Sequence, residues 1–356
     1  MGGPGDPPEG TPTGAPGGGE DEYRSVVFDE SFVRAARLQE YSARERMADH
    51  APAVRRRPPL HRGLSRQALI LVMLIAVAFG TAIYMGVRHP YGTADAQKPA
   101  TPLRMTVIPL SPQGKVPGAT DAEYVYDHSP AAQFSVGAEG IPLPATRRTE
   151  HFSDSQVLTA LTTAKDYLVH SSLYPEVLDA GQVQPARMLV DPSQLDQFDQ
   201  GFEHPVADGR HAPTGWLVRF DPTRAELADQ KIRVQGSLQV IETDAATLEV
   251  NADHTFVYAL RPTGSGDKAR VSLFTVRREL TFRFDQGDLR TRQVQLIASY
   301  VQAGPLSCAE DSADRFRPLL AGQTAKAGGP AGTDPYATDG TTALCGTLAP
   351  RAQPTP

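Results

Sequence analysis

The stretch VSLFTVRRELTFRF, residues 271–284, alternates apolar and polar side chains from Phe274 to Phe284, with Arg278 as the one exception. A period of two predicts a β-strand with one buried face. Residues 248–260 before it and residues 289–301 after it carry the same kind of pattern. The turn-forming sequence DQGD at 285–288 predicts a hairpin between the last two strands. Together these segments predict a long antiparallel meander.

Two helix starts precede the meander. Ser153 and Gln156 have the spacing of a capping box, and apolar residues at helical intervals follow them, which predicts an amphipathic helix over 154–171. Asp191 and Pro192 predict a second start, because proline suits the first helical position. The second helix would turn an apolar side toward the core.

Residues 216–220 and 232–240 alternate again and predict two further strands. One or two helices on one face of a curved antiparallel sheet give an α+β domain, which we place at residues 151–304. This order of elements is similar to the NTF2-like and cystatin-like cone folds. That resemblance implies a fold without a function, because such folds host both enzymes and binding modules.

Two polar residues share the inward parity of the predicted strands and are our candidate ligand-binding residues. Arg278 either lines a pocket and meets an anion, or is turned outward by a β-bulge at Arg277-Arg278, and we favour the bulge. His254 is either a base or a hydrogen-bonded core residue, and we favour the core residue. We predict no catalytic residue.

The loop EHPVADGRH, residues 203–211, contains metal-ligand residue types at His204, Asp208 and His211. The loop offers no fixed geometry, so we predict neither a metal site nor a cofactor. The chain also lacks the G-x-S-x-G, H-E-x-x-H and Walker A patterns. Their absence argues against common hydrolases, metalloproteases and NTPases, and we expect a non-enzymatic protein.

Residues 68–87, ALILVMLIAVAFGTAIYMGV, form an uncharged apolar run long enough to span about 30 Å of hydrocarbon as a helix. We predict a transmembrane helix over 67–87. The arginines before it outnumber the basic residues after it, so the N-terminus should be cytoplasmic and residues 88–356 outside. Five arginines carry this asymmetry: Arg55, Arg56, Arg57, Arg62 and Arg66.

The alternative to an anchor is a signal peptide cleaved near Ala94-Asp95-Ala96, but the apolar run is long and begins late. Within the run, Ala78, Ala82 and Gly86 recur every four residues. This small-residue stripe suggests a homodimer, although alanine and glycine are common in any membrane helix.

Residues 1–66 form the predicted cytoplasmic tail. Its first nineteen residues include 8 Gly and 5 Pro, too few apolar groups for a packed core, so we expect disorder there. A short helix is predicted at about 29–48. It would either dock onto a partner or act as a solvated spacer. The docking residues would be Phe28, Phe32, Val33 and Leu38.

The tail sequence EYRSVVFDESFVRAA at residues 22–36, with the basic run and the anchor, resembles an actinobacterial family of single-pass membrane proteins found in streptomycetes. The resemblance is most specific over residues 20–90 and looser beyond them. Some members are associated with spore-wall synthesis. The resemblance therefore implies a non-enzymatic partner in an envelope-building complex, and it brings no catalytic residues.

The remaining segments flank the α+β domain. Residues 88–150 are rich in Pro and Gly, and we predict a linker with edge strands at 105–110 and 133–136. Residues 305–356 form a C-terminal extension that a Cys308–Cys345 disulfide closes, the expected state of an even cysteine pair in an oxidising compartment. Free thiols or a metal pair are the alternatives.

A net charge of −6, with no basic patch outside the membrane flank, argues against nucleic-acid binding. We therefore expect a plasma-membrane scaffold whose partners are the bilayer and envelope-synthesis or cytoskeletal membrane proteins. The alternative is an extracytoplasmic small-ligand-binding module or weak hydrolase that uses a cone pocket. An anti-sigma-like anchor is a third possibility, but it would need a defined cytoplasmic fold.

Overall fold

The computed structural model describes residues 66–88, 101–179, 181–328 and 344–355. The chain divides into two units, Met1–His89 and Pro90–Pro356. The predicted tail helix at 29–48 and its docking residues Phe28, Phe32, Val33 and Leu38 lie outside the described residues, as do residues 329–343 of the C-terminal loop.

In the first unit, the apolar run forms one helix, α1 (Arg66–Arg88). The most apolar 18-residue stretch within Arg66–Tyr84 has a mean hydropathy of 2.2, and none of that stretch is buried within the protein. At 23 residues the helix is about 35 Å long. By length and composition α1 can cross a bilayer, and the Thr81 hydroxyl donates to Val77 O at 2.7 Å, within the helix.

The second unit is built on an eight-stranded mixed sheet with the order β2-β4-β5-β6-β7-β1-β8, in which β3 pairs with β5 beside β4. The strands are β1 (Arg104–Pro112), β2 (Ser135–Val136), β3 (Ala225–Leu227), β4 (Arg233–Asp244), β5 (Thr247–Pro262), β6 (Ser272–Phe284), β7 (Gln295–Gly304) and β8 (Gly346–Leu348). The predicted meander corresponds to β4–β7, which pair antiparallel in sequence order.

The sheet is larger than the predicted cone fold, and it is not wholly antiparallel. Arg104 to Pro109 of β1 pair in parallel with β7, and the last three residues of β1 pair in parallel with β8. The expectation of an edge strand at 105–110 is therefore wrong for β1, whereas β2 does lie at the sheet edge within the predicted 133–136. Pro109 has no N–H to donate, and β1 changes partner immediately after it.

Helices lie around the sheet: α2 (Ala122–Asp127), α3 (Asp154–Ser172), α4 (Pro175–Leu178), α5 (Gln184–Arg187), α6 (Leu195–Glu203), α7 (Pro213–Trp216) and α8 (Gln286–Thr291). The longest, α3, begins with the predicted capping box between Ser153 and Gln156. Phe152 and Val157, on either side of the cap, are buried at 1% and 2% exposure. This hydrophobic staple fixes the angle at which the chain enters α3.

Two sequence expectations differ from the structure. The DQGD segment is not a tight turn, because the Asp285 carboxylate caps the backbone N–H groups of Gly287 and Asp288 and starts α8. The alternation at 216–220 does not make a strand, since Val218 N and Phe220 N donate to carbonyl groups at helix ends. The predicted second helix start is confirmed: Asp191 caps a 3-10 turn, Pro192–Gln194, that begins with the proline and continues directly into α6.

The inner face of the sheet packs on α3, α6 and α7 in one apolar core. A smaller core on the outer face lies beneath α2, where Tyr126 packs against Val257 and Ala259. The C-terminal segment returns to the sheet as β8. The predicted disulfide between Cys308 and Cys345 forms beside β8, with the two Cα atoms 5.8 Å apart.

Candidate functional site

Arg278 lies in the interior of the second unit with 0% of its surface exposed. The β5–β6 ladder runs without a register shift through this position and places Arg278 opposite His254. On the other side of β6, Arg278 faces Val301 of β7. The expected β-bulge at Arg277-Arg278 is therefore wrong, and the side chain keeps its inward parity.

The Arg278 guanidinium is held by the ends of two helices. Its Nη1 donates to the Ser171 and Ser172 hydroxyls at 2.7 and 2.8 Å, at the C-terminus of α3. Its Nη2 donates to Trp216 O at 2.7 Å and to Gly215 O at 3.4 Å, at the end of α7. These neutral acceptors explain why no bulge forms, because turning Arg278 outward would break its hydrogen bonds to the serine hydroxyls and to the α7 carbonyl groups.

Two tyrosines complete the cluster around Arg278. Tyr167 donates to Trp216 O at 2.7 Å, and Tyr258 donates to Ser172 O at 2.8 Å. Burial raises the pKa of both tyrosines, so both remain neutral. Burial also lowers the pKa of Arg278 from its usual range. A cation at the C-terminus of α3 is favoured by the helix dipole, which supplies part of the missing counter-charge.

His254 of β5 lies opposite Gly236 of β4 on one side and opposite Arg278 of β6 on the other. A Cβ at Gly236 would clash with the imidazole ring, so glycine provides the space that the ring occupies. Burial lowers the pKa of His254 to about 4, which keeps the ring neutral at neutral pH. Among the described residues, neither His254 nitrogen has a hydrogen-bond partner, and neither does Arg278 Nε. Our expectation of a hydrogen-bonded His254 is not met within the described protein.

The candidate loop at 203–211 is organised by Asp208. Its carboxylate accepts from the backbone N–H groups of Arg210 and His211 at 2.8 Å, and it pairs with the His211 ring at 2.6 Å. Gly209 O in the same loop accepts from Met105 N. Asp208 therefore holds the shape of a loop that bonds to the start of β1 through Gly209, which gives this Asp–His pair a structural role.

The structure brings together a second group of metal-ligand residue types that the sequence does not signal. Glu150, His151 and Glu242 bring one ligand atom each within 4.8 Å of one another. His151 lies 91 residues from Glu242, and no local spacing could signal the pair. His151 Nδ1 and Glu242 Oε1 are 2.6 Å apart, and the His151 backbone N–H donates to the same carboxylate.

The electrostatics of this group favour an ion pair over a metal. The neighbouring Thr149 hydroxyl and the His151 ring lower the pKa of Glu242 to about 2, and the contact with Glu242 raises the pKa of His151. The group also precedes the N-terminus of α3, whose partial positive charge favours carboxylates and disfavours a cation. We assign it to fastening the chain before α3 to the end of β4.

Comparisons with known proteins give no match for this chain, whether to a family model, a curated protein or a solved structure.

Proposed function

We propose that this protein is a non-enzymatic, single-pass membrane protein that acts as an interaction partner in a cell-envelope assembly complex. Its N-terminal tail would be cytoplasmic and would dock a membrane-associated partner. Its α+β unit would be extracytoplasmic. The observation that carries the proposal is the combination of one apolar helix, α1, with a disulfide in the unit that follows it in sequence.

The packing of the α+β unit supports an interaction role. Arg278, one of the two inward-facing polar residues, holds parts of the fold together, since its four hydrogen bonds in the described protein go to helix ends. The streptomycete resemblance of residues 22–36 supports an envelope partner, including a spore-wall complex, because it covers the tail and the anchor.

The experiment is site-specific crosslinking from the tail of the full-length protein in its native membrane. A photo-crosslinking amino acid at position 32 should trap an envelope-synthesis or cytoskeletal protein. Replacing Phe28, Val33 and Leu38 with alanine should abolish that adduct. The matched control replaces Glu40 and Arg44 with glutamine, which removes charge and keeps the apolar residues, and should retain it. An unchanged adduct after the alanine replacements would rule out docking through these residues.

A second candidate function is a small-ligand-binding module that uses the interior between α3 and the sheet. It is favoured by the three nitrogens of His254 and Arg278 that have no partner among the described residues. Buried polar groups normally find partners, so a small polar ligand would satisfy them. Two results together would support this function: a ligand that slows the exchange of the His254 ring proton in NMR spectra, and loss of its binding in His254→Leu. Binding that is identical in His254→Leu would exclude it.

A further inference from the structure

A pair of arginines lies side by side away from the Arg278 cluster. Phe220 and Phe316 form a parallel bridge, in which Phe316 N donates to Arg219 O and Asp221 N donates to Phe316 O, both at 2.9 Å. In a parallel bridge the preceding residues of the two segments are neighbours too. Arg219 and Arg315 therefore lie beside each other, and both lie on the side opposite the buried phenylalanines.

This arrangement is unfavourable for stability. Like charges directly opposite each other on paired strands repel, and Arg219 is only 6% exposed. Burial, followed by the charge of Arg315, lowers the pKa of Arg219. Phe202 covers the buried guanidinium, with Arg219 Cζ 5.3 Å from the ring centroid. A buried cation beside a second cation requires a compensating anion.

Asp314 compensates only part of the charge. One of its oxygens lies 3.5 Å from Arg219 Nη1 and the other lies 3.4 Å from Arg315 Nε, and both distances are long for an ion pair. Arg219 Nε is buried without a hydrogen-bond partner. Within the described part of the chain, Asp314 is the only acid paired with either arginine. The group therefore keeps a net charge of +1 and at least one unused buried donor.

Both guanidinium groups converge on Gly181. A Cβ at this glycine would lie 3.5 Å from Arg219 Nη2 and 3.6 and 3.7 Å from the two Nη atoms of Arg315. Gly181 has a φ of +71°, a conformation that glycine adopts without strain. These are ordinary van der Waals distances, so a small group at this point contacts both guanidinium groups. One small oxyanion beside this point can reach donors from both arginines.

We propose that Arg219 and Arg315, with Gly181 between them, form a binding site for a phosphate group. Two guanidinium forks approaching from different segments suit a tetrahedral oxyanion, which presents oxygens in several directions, better than a planar carboxylate. The net charge of +1 suits a phosphodiester or a monoanionic phosphate. Arg315, with a side chain 29% exposed, provides the solvent-accessible side of the site.

The test is calorimetric titration of the full-length protein in a maltoside detergent, which is free of lipid phosphate. Inorganic phosphate and bis(glycerol) phosphate are titrated separately, and acetate serves as the carboxylate probe. We expect both phosphate probes to bind and acetate not to bind. Tighter binding of inorganic phosphate would identify the free ion as the preferred source, and tighter binding of the diester would identify a polymer or headgroup phosphodiester.

Arg315→Gln should weaken phosphate binding by about tenfold or more, the loss expected when a charge-assisted donor is removed. The matched control is Arg317→Gln, since Arg317 is 30% exposed and pairs with Asp221 instead. It should change the affinity less than twofold. Asp314→Asn removes the competing carboxylate and should tighten binding severalfold.

Three results would overturn the proposal. The first is no binding of either phosphate probe to the wild-type protein at millimolar concentration. The second is equal binding to the wild type and Arg315→Gln. The third is weaker binding to Asp314→Asn, which would make the two arginines and Asp314 a closed ion-pair network. Circular dichroism of each variant verifies that the fold is retained, and Asp314→Asn provides the test if Arg315→Gln unfolds.

Discussion

At the scale of single residues, Arg278 and its neighbour Arg277 differ in exposure to solvent and in the charge of their partners. Arg277 lies on the outer face with a side chain 45% exposed and pairs with Asp253 and Glu279. Arg278 is fully buried and bonds to neutral helix ends. The two therefore form a natural pair for measuring what a buried guanidinium contributes to this fold.

We predict that Arg278→Lys lowers the free energy of unfolding by about 2–4 kcal/mol, because an ammonium cannot reproduce the fork and leaves buried acceptors unpaired. Arg277→Lys should cost less than about 0.5 kcal/mol, as expected for an exposed pair. Urea unfolding followed by fluorescence of Trp216, the only tryptophan, measures both. Equal losses in the two variants would contradict the assigned role of Arg278.

A second residue-scale prediction concerns Asp288 in the capping box of α8. Burial, together with a hydrogen bond to Asp191, raises the pKa of Asp288 to about 8. The carboxyl group accepts from Asp285 N at 2.9 Å and from Gln295 Nε2 at 3.1 Å. The folded protein therefore keeps a proton on Asp288 that the unfolded chain loses above its ordinary pKa of 3.8.

Because the folded pKa of Asp288 is the higher one, its contribution to stability is largest at low pH and is lost as the pH rises from about 4 to 8. The loss is at most about 1.4 kcal/mol per pH unit. Asp288→Asn should flatten this part of the pH profile and stabilise the protein at pH 8. Asp196→Asn, at an exposed position, should leave the profile unchanged. A parallel profile for Asp288→Asn would contradict a protonated Asp288.

At the scale of elements, local signals predicted local structure. The capping box at Ser153 and Gln156 predicted the start of α3, and the alternation at 271–284 predicted β6, because both depend on residues close in sequence. The alternation at 216–220 predicted a strand wrongly. Its apolar residues are buried between helix ends, where Val218 N donates to Ser171 O and Phe220 N donates to Leu178 O.

Long-range contacts explain the remaining differences. The parity of β6 indicated that Arg278 and His254 share a face, but the acceptors that draw Arg278 inward lie more than 60 residues away. The parallel pairing of β1 with β7 likewise depends on a partner near the other end of the chain. The local sequence does not signal the Arg219–Arg315 pair for the same reason, since the Phe220–Phe316 bridge that brings the two arginines together joins residues far apart in sequence.

The disulfide supports a further element-scale prediction. It joins residues 37 positions apart and holds β8, which has only three residues in the sheet. Replacing both cysteines with serine should lower the free energy of unfolding by about 4 kcal/mol in the chain-entropy model. Amide exchange should accelerate first in residues 344–355. Reductant should destabilise the wild type and leave the double variant unchanged, and an unaffected wild type would contradict a stabilising disulfide.

At the scale of the whole molecule, the proposed orientation predicts which residues a membrane-impermeant maleimide reaches in intact cells. The native cysteines are joined in the disulfide, so one introduced cysteine reports its own location. Arg147→Cys, at an exposed position in the second unit, should be labelled directly. Ser42→Cys in the tail should be labelled only after permeabilisation. The reverse pattern would invert the proposed topology.

The parallel ladder between β1 and β7 also has a consequence for the order in which the protein is made. The strand that follows α1 in sequence is synthesised first, and its partner β7 is the last strand before the disulfide loop. At about 5–20 residues per second, the roughly 190 residues between them take on the order of 10–40 s to synthesise. During that interval β1 lacks both strands it pairs with, so the pairing at β1, the strand that follows α1 in sequence, comes late in the assembly of the sheet.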